Sequence, residues 1–209
     1  MRVFRKPDVR GDRARISKEY ELMDRKYNVA VIVGSLRKGS YSRMMAHAAS
    51  RLAPQSLGLN IVEIADLPLY NEDLDGANPP PAWVAFRQAV RKSDALLFVT
   101  PEYNRSVPAP LKNAIDVGSR PYGQSVFGGK PGAIISLSPG AIGAFGANHH
   151  LRQSLVFLDV PMLQQPEAYI GNAAGLFDEA GNLKNDGTKD FLQKYLQAFS
   201  VWIGKHAPA

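Results

Sequence analysis

The sequence predicts an α/β protein built on a doubly wound, five-stranded parallel sheet with strand order 2-1-3-4-5. Short apolar, β-branched runs alternate with amphipathic segments of helical period from residue 27 onward, as strands and crossover helices do. The runs at 28–34 and 95–100 are apolar on both faces, which is typical of strands covered on both sides. Loops of unusual composition follow the first, third and fourth runs, where doubly wound sheets bind their ligands.

Periodicity and turn residues define the individual elements. Met45 and Ala48 belong to the apolar stripe of the first helix, and a stretch rich in Pro, Asn, Asp and Gly marks the first long loop. The first half is predicted as strand 28–34, helix 40–52, strand 59–64, loop 66–81, helix 83–92 and strand 95–100. The second half is predicted as helix 110–119, strand 131–137, helix 148–158, strand 160–164 and helix 189–203.

Length and composition favour a single domain with one core. The chain has 209 residues, of which 45% are hydrophobic. It has no cysteine, which excludes disulfides, zinc–thiolate sites and thiol nucleophiles, so any redox chemistry must come from a bound cofactor. No apolar run reaches the ~18 residues of a membrane span, and the start of the chain lacks the apolar segment of a secretory signal. We therefore expect no membrane association and a cytoplasmic location.

Residues 1–26 are predicted to be an extension to a domain that spans 27–209. The extension has no sustained apolar periodicity and is expected to be flexible or partly helical. Met23 stands just ahead of the first strand, so translation could begin there and residues 1–22 would be an artefact. The alternative is a genuine extension that packs on the surface.

The net charge of +6 lies mainly in this extension, which holds nine Lys/Arg and five Asp/Glu and so contributes +4. A nucleic-acid surface would combine its cations with exposed aromatic residues or a recognition helix. The extension has only scattered arginines with acidic residues between them. We therefore expect no nucleic-acid partner.

The loop at 34–42, GSLRKGSYS, combines hydroxyls, cations and glycines at a predicted helix N-terminus. Backbone N–H groups and the helix dipole favour an anion there, and serines with Arg37 can add charge-assisted hydrogen bonds. The loop matches neither GxGxxG nor GxxxxGK[ST], so it predicts a phosphate site of another kind. The alternative is a capped helix start, with Ser40 as N-cap and Arg37 in solvent.

Two further loops would lie beside this one. The loop at 100–110, TPEYNRSVPAP, has three prolines that can hold backbone amides rigidly against a planar ligand. Its alternative is a stiff surface loop with Tyr103 packed on its neighbours. The loop at 136–146 is rich in small residues and allows the backbone to approach a ring closely. Its alternative is a mobile glycine-rich loop.

The segments GSLRKGSYS, PEYNRSVPAPLKNAID and SPGAIG…HLRQSLVFLDVP, in this order, resemble the NADPH-dependent FMN reductase family, in particular its bacterial quinone and chromate reductase branch. The likeness covers about residues 28–171, with a weaker match through the final helix. It implies a flavodoxin-like fold and FMN as cofactor. It also implies ping-pong hydride transfer from NADPH or NADH to quinones, with chromate, ferric complexes and azo dyes as further acceptors.

The resemblance also implies which residues form the cofactor site. The FMN phosphate would be held by Ser35, Arg37, Ser40, Tyr41 and Ser42. The isoalloxazine ring would lie along Pro101, Glu102, Tyr103, Asn104 and Arg105, with Ser138 and Gly140 contributed by the third loop. The flavin carries the chemistry, so no residue is expected as an obligate acid, base or nucleophile. Glu102 and Asp116 are expected at solvated positions rather than as general acids.

The sequence departs from the family pattern at four positions. Ser42 stands where Asn is frequent, and Arg105 stands where some relatives have Tyr, which would place a cation near the open face of the ring. The resemblance implies a homodimer or homotetramer. Gly146 and His149 replace an Arg and a Tyr of an inter-subunit hydrogen-bond network found in some relatives, whereas Glu167 is retained.

Two other functional classes share the predicted fold. A flavodoxin-type electron carrier would be acidic and lack an arginine in its phosphate loop, so Arg37 argues against it. An FMN-binding redox sensor stays open. A metal site at His149 and His150 is not expected, because helical neighbours point about 100° apart and no i, i+4 ligand accompanies them. A partly exposed helix face or a subunit contact is the expected environment of both histidines.

Overall fold

The computed structural model describes residues 25–206 of the chain. The predicted extension lies almost entirely outside the described residues, so both of its alternatives and the domain boundary at residue 27 stay predictions. Within the described part, no helix is long and apolar enough to cross a membrane.

The sheet is the one that the sequence predicts. Five parallel strands lie in the order β2-β1-β3-β4-β5. They are β1 (Tyr27–Val33), β2 (Leu57–Val62), β3 (Ala95–Thr100), β4 (Gly132–Leu137) and β5 (Ala168–Ile170). Val33 pairs with Val99, and Thr100 pairs with Ser136, so β1, β3 and β4 end at the same edge. This register brings the three predicted ligand loops together.

Helices cover both faces of the sheet. They are α1 (Tyr41–Leu52), α2 (Pro81–Arg91), α3 (Ala109–Gly118), α4 (Phe145–Phe157) and α5 (Asp186–His206). One core lies between the sheet and helices α1 and α5, and the other lies between the sheet and helices α2, α3 and α4. Strand side chains alternate between the cores, as Val31 and Ile32 do, because successive residues of a strand point to opposite faces.

The prediction of the fifth strand was wrong. Within residues 160–164 only Met162 forms a strand-like pair, an isolated bridge to Gly132, and the fifth strand is Ala168–Ile170. The apolar residues that suggested a strand are buried because they pack in the two cores, and they form no strand ladder with the sheet. Pro161 interrupts it, and proline has no N–H to donate to a ladder.

The long loop between β2 and α2 is fixed to the helices below it. Asn113 of α3 accepts a hydrogen bond from Tyr70 N at 2.9 Å and donates to Pro68 O at 3.0 Å. Arg87 of α2 holds Asp75 in a two-point ion pair at 2.7 and 2.6 Å, with side chains only 6% and 4% exposed. The Arg87 guanidinium holds the pKa of Asp75 below its usual range.

Candidate functional site

The first loop of the site leaves β1 through a glycine that has no room for a side chain. Gly34 N donates to Val99 O at 2.9 Å, which ties the loop to the end of β3. A Cβ on Gly34 would lie 2.9 Å from Thr100 Oγ1 and 3.1 Å from a methyl carbon of Leu111. Glycine therefore lets the loops after β1 and β3 approach each other closely.

Three serines of this loop turn into the protein. Ser35, Ser40 and Ser42 are buried, and Ser40 Oγ accepts a hydrogen bond from Arg43 N at 3.3 Å as the N-cap of α1. The capped helix start that the sequence suggested is therefore correct for Ser40. Ser35 and Ser42 line the polar cavity described below, and no hydrogen bond joins their hydroxyls to residues 25–206.

The loop itself carries only positive charge, from Arg37 and Lys38. Arg37 is exposed at its tip, and the first turn of α1 contains no acidic residue. The N-terminus of a helix carries a partial positive charge from its free N–H groups. Arg37, the helix end and the two unbonded hydroxyls together suit a phosphate-sized anion.

A cavity of about 200 Å³, which we call the polar cavity, opens between the first and second loops. It is lined by Ser35, Arg37, Ser40, Tyr41, Ser42, Pro101, Glu102, Tyr103, Leu137 and Pro139. The structure thus brings together eight of the twelve residues that the resemblance implied. Ser138 and Gly140 lie on the third loop, where their neighbours reach the cavity but they do not.

A larger cavity of about 820 Å³, the apolar cavity, continues from the polar one. The two cavities share Ser35, Arg37 and Tyr103. The walls of the apolar cavity come mainly from residues 103–110, including Val107, and from Leu36 on the opposite side. A ligand with a phosphate at one end and a flat, apolar ring at the other matches this pair of cavities.

The second loop contains a tight turn that its prolines did not predict. Asn104 and Arg105 have φ angles of 50° and 61°, and Tyr103 and Ser106 exchange backbone hydrogen bonds of 3.2 and 2.9 Å across them. This is the pattern of a type I′ turn, which glycine or asparagine normally occupies. An arginine in a left-handed backbone conformation is strained, and strained backbone conformations are frequent at functional sites. Tyr103 is half-exposed rather than packed on its neighbours.

The expectation that Glu102 is solvated was wrong. Its side chain is only 10% exposed and accepts hydrogen bonds from Ala147 N and from Arg105 Nη1, both at 3.0 Å. Glu102 was misjudged because its partners lie on α4 and on the turn, and their proximity depends on the folded loop. Asp116 is solvated as expected and pairs with Lys112 along α3 at 2.8 Å.

The third loop is held against β5. Ser138 N donates to Ile170 O at 3.1 Å, and Asn172 N donates to Gly140 O at 3.3 Å. Gly143 has a φ of 59°, and a Cβ there would lie 2.5 Å from the carbonyl carbon of Tyr169. The loop is therefore an ordered wall beside the polar cavity, rather than the mobile alternative considered from sequence.

The sequence profile of the NADPH-dependent FMN reductase family matches residues 27–175, more than two thirds of the chain. The chain belongs to this family. A quinone reductase from Pseudomonas putida is 65% identical over 181 residues, covering 87% of the chain and 97% of that protein. A 2-hydroxy-1,4-benzoquinone reductase from a Burkholderia species is 47% identical over 175 residues, covering 84% of the chain and 95% of that protein.

The structure of FerB, a flavoenzyme NAD(P)H:(acceptor) oxidoreductase from Paracoccus denitrificans, is similar at a TM-score of 0.82 and 42% identity. The match covers 87% of the chain and all of FerB. The flavodoxin-like architecture predicted from sequence is thus the architecture of a solved member of this class. The likeness also places the polar and apolar cavities in a fold that is used for flavin chemistry.

The adjacent histidines of this FMN reductase family member point to different partners. His149 Nε2 lies 3.0 Å from the Tyr169 hydroxyl, whereas His150 Nδ1 lies 3.0 Å from Ser106 Oγ. Both rings are exposed, as expected. Residues 25–206 contain no group of three His, Asp or Glu side chains placed to share a metal ion. That the protein binds no metal stays a prediction.

Two residues that support the site gave no signal in the sequence. Phe177 packs against the ring of Tyr41, and Gly146 lies against the turn of the second loop. Phe177 follows β5 in an irregular segment, where periodicity carries no information. Gly146 was noted in the sequence only as a departure from the family pattern and as part of a small-residue loop, which did not indicate its contact with the second loop.

Proposed function

We propose that this chain is an FMN-dependent NAD(P)H oxidoreductase that reduces quinones. Its family membership and the names of its relatives support the reaction class. The observation that carries the proposal is the junction of the two cavities. Ser35 and Ser42, whose hydroxyls have no partner within residues 25–206, and Arg37 line one end, and the apolar cavity continues from there.

The residues of the site fit FMN. Ser35, Ser42 and Arg37 would bind the phosphate, together with the free N–H groups at the start of α1. Tyr41 and Ser40 would complete that end of the site. When bound, FMN supplies hydride transfer: NAD(P)H gives up a hydride, and the quinone leaves as a hydroquinone after gaining a proton from solvent.

The second and third loops would hold the ring. Pro101, Tyr103 and Asn104 line the cavities directly, and backbone N–H groups on a fixed loop can bond the ring heteroatoms. Glu102 lines the polar cavity, but its carboxylate already accepts hydrogen bonds from Ala147 and Arg105. The assignments of Arg105, Ser138 and Gly140 to the ring stay predictions.

The acceptor is proposed to bind on the open side of the ring. The walls at Leu36 and Val107 favour a flat, apolar acceptor, which supports quinones. Chromate, ferric complexes and azo dyes remain proposed as secondary acceptors. The largely exposed Arg105, in the turn of the second loop, is proposed to attract their negative charge, or the phosphates of NAD(P)H.

We further propose that the protein is a homodimer or homotetramer in the cytoplasm. Val156 and Phe157 at the end of α4 and Tyr122 beyond α3 are largely exposed, and such apolar residues are typical of subunit contacts. The cytoplasm is where cells keep the NAD(P)H that the reaction consumes. Light scattering on the purified protein and cell fractionation test these two statements.

The central experiment is purification followed by flavin analysis and steady-state kinetics. We expect a yellow protein that releases FMN on denaturation and oxidises NADPH or NADH with benzoquinone in a ping-pong pattern. A colourless protein that takes up no added FMN would overturn the proposal. Flavin binding with turnover only in the presence of a partner reductase would indicate an electron carrier instead.

A further inference from the structure

The two loops beside the proposed ring site meet at the first turn of α4. The loop after β4 leads directly into this helix, whose N-cap position is Ala144. Alanine offers no side-chain acceptor, and α4 has no side-chain cap hydrogen bond from that position. The carboxylate of Glu102, on the other loop, accepts the hydrogen bond of Ala147 N instead.

The same carboxylate also fixes the turn that follows it. Glu102 Oε1 accepts from Arg105 Nη1 at 3.0 Å while Oε2 is bonded to α4, so each oxygen has its own partner. Arg105 holds a left-handed backbone conformation that a non-glycine residue adopts only when its surroundings enforce it. The backbone hydrogen bonds between Tyr103 and Ser106 close this turn, and the ion pair with Glu102 ties the Arg105 side chain to it.

Further contacts beside the Glu102 carboxylate join α4 to the turn of the second loop. A Cβ on Gly146 would lie 2.7 Å from Arg105 O and 2.9 Å from Glu102 Oε2, so the helix backbone touches the turn. One helical turn later, His150 Nδ1 lies 3.0 Å from Ser106 Oγ. The first two turns of α4 therefore contact residues 102–106 of the second loop at three points.

We propose that Glu102 is a positioning residue that fixes the separation of the two ring-flanking loops and thereby sets the affinity for FMN. This inference rests on the proposed function, because it presumes that FMN lies between these loops. The Glu102 carboxylate acts through Ala147 and Arg105, and α4 is the rigid element that both loops share.

Three variants test the proposal, each compared with the wild-type protein. Glu102→Ala removes both contacts, whereas Glu102→Gln keeps an oxygen acceptor for Ala147 N and loses the charge. Gly146→Ala disturbs the junction from the side of α4, at a residue that lines neither cavity. Gly175→Ala is the matched control, because a Cβ there meets nothing within 4 Å.

Two measurements are made on each variant. FMN binding to the apoprotein is followed by quenching of flavin fluorescence. Hydrogen exchange at the Ala147 amide is followed in the apoprotein, where no flavin contributes. We expect Glu102→Ala to weaken FMN binding by about tenfold or more, as loss of a charge-assisted hydrogen bond does. We expect Gly146→Ala to weaken it as well, because its Cβ would push the turn of the second loop away from α4. Glu102→Gln is expected to recover most of the Ala147 protection, and Gly175→Ala to match wild type.

The outcomes separate this inference from the proposed function. If the wild-type protein binds no FMN, the proposed function fails. If wild type binds FMN and Gly146→Ala binds it equally well, the positioning role is wrong. Equal exchange at Ala147 in Glu102→Ala and wild type would also overturn it. If Glu102→Ala lowers the melting temperature but binds FMN with unchanged affinity below that temperature, Glu102 stabilises the fold and does not set the FMN affinity, which would overturn the proposal.

Discussion

The ring of Tyr41 in α1 lies 6.1 Å from the ring of Phe177 and is nearly parallel to it, at 11°. Tyr41 lines the polar cavity, whereas Phe177 belongs to the segment beyond β5 and is buried. The polar cavity is therefore supported from a part of the chain more than 130 residues away. A residue that never touches the ligand can in this way control how the site is held.

Phe177→Ala is expected to destabilise the protein by about 3–5 kcal/mol and to weaken FMN binding, because the cavity it leaves allows Tyr41 to shift. Urea unfolding and FMN titration measure the two effects. Phe127→Ala is the matched control, since Phe127 is buried under α3, away from the site. It should cost similar stability and leave the FMN affinity of the folded protein unchanged. Equal FMN affinities in the two variants would contradict the prediction.

Arg37→Ala is expected to raise the Kd for FMN by about tenfold or more, because a charge-assisted bond to phosphate is lost. Lys38 is the natural control, since it is the next residue, carries the same charge, is also exposed and lines neither cavity. Fluorescence titration of the two apoproteins makes the comparison. A Kd for Arg37→Ala within a factor of about two of that for Lys38→Ala would speak against a phosphate contact.

Arg105→Ala is expected to raise the KM for NADPH by about threefold at low ionic strength and to slow chromate reduction, with the difference disappearing at high salt. Steady-state kinetics at two salt concentrations measures it. Arg91→Ala removes the same charge at the end of α2, on the opposite edge of the sheet, and should have no effect. Unchanged NADPH KM values and chromate rates would show that Arg105 attracts neither ligand.

Asp75→Asn is expected to cost about 3–5 kcal/mol at neutral pH, because it leaves the buried Arg87 unpaired. The pKa of Asp75 is lowered in the folded state, mainly by hydrogen bonds from Arg87. Its stabilising contribution is thus present above the unfolded pKa and is lost as pH falls through the lower folded value. Urea unfolding at several pH values measures both. Asp116→Asn, in an exposed pair, should cost below about 0.5 kcal/mol.

Tyr169 should make the protein sensitive to alkali. Burial, together with a hydrogen bond to Glu167, raises its pKa to about 12. Because the folded state keeps the proton longer than the unfolded chain, stability is complete below about pH 10 and falls as pH rises toward 12. Tyr169→Phe should lose less stability over that range, as measured by unfolding. Ultraviolet titration should lack a tyrosine near pH 12 in this variant, and an identical titration would refute the assignment.

The sequence could predict where the loops lie but only part of what their side chains do. Most strands and helices follow from hydrophobic periodicity, which is a local signal. Their strict alternation favoured a doubly wound sheet in the observed order, so the loops after β1, β3 and β4 were expected at one edge. Burial does not imply pairing, and for that reason residues 160–164 were mistaken for a strand.

The unpredicted features depend on contacts between distant residues. The Glu102 carboxylate looked solvated because Ala147 is 45 positions away in the chain. The left-handed Arg105 contradicts local preference, so only the folded junction with α4 accounts for it. The ion pair of Arg87 with Asp75 likewise joins a helix to a loop whose path the sequence did not define.

The division of the site into two cavities also bears on how the protein could evolve or be engineered. Leu36 and Val107 line the apolar cavity but not the polar cavity. Exchanging either residue would reshape the apolar cavity and leave the lining of the polar cavity unchanged. Under the proposed function, related enzymes could therefore trade one oxidant for another without first losing their prosthetic group.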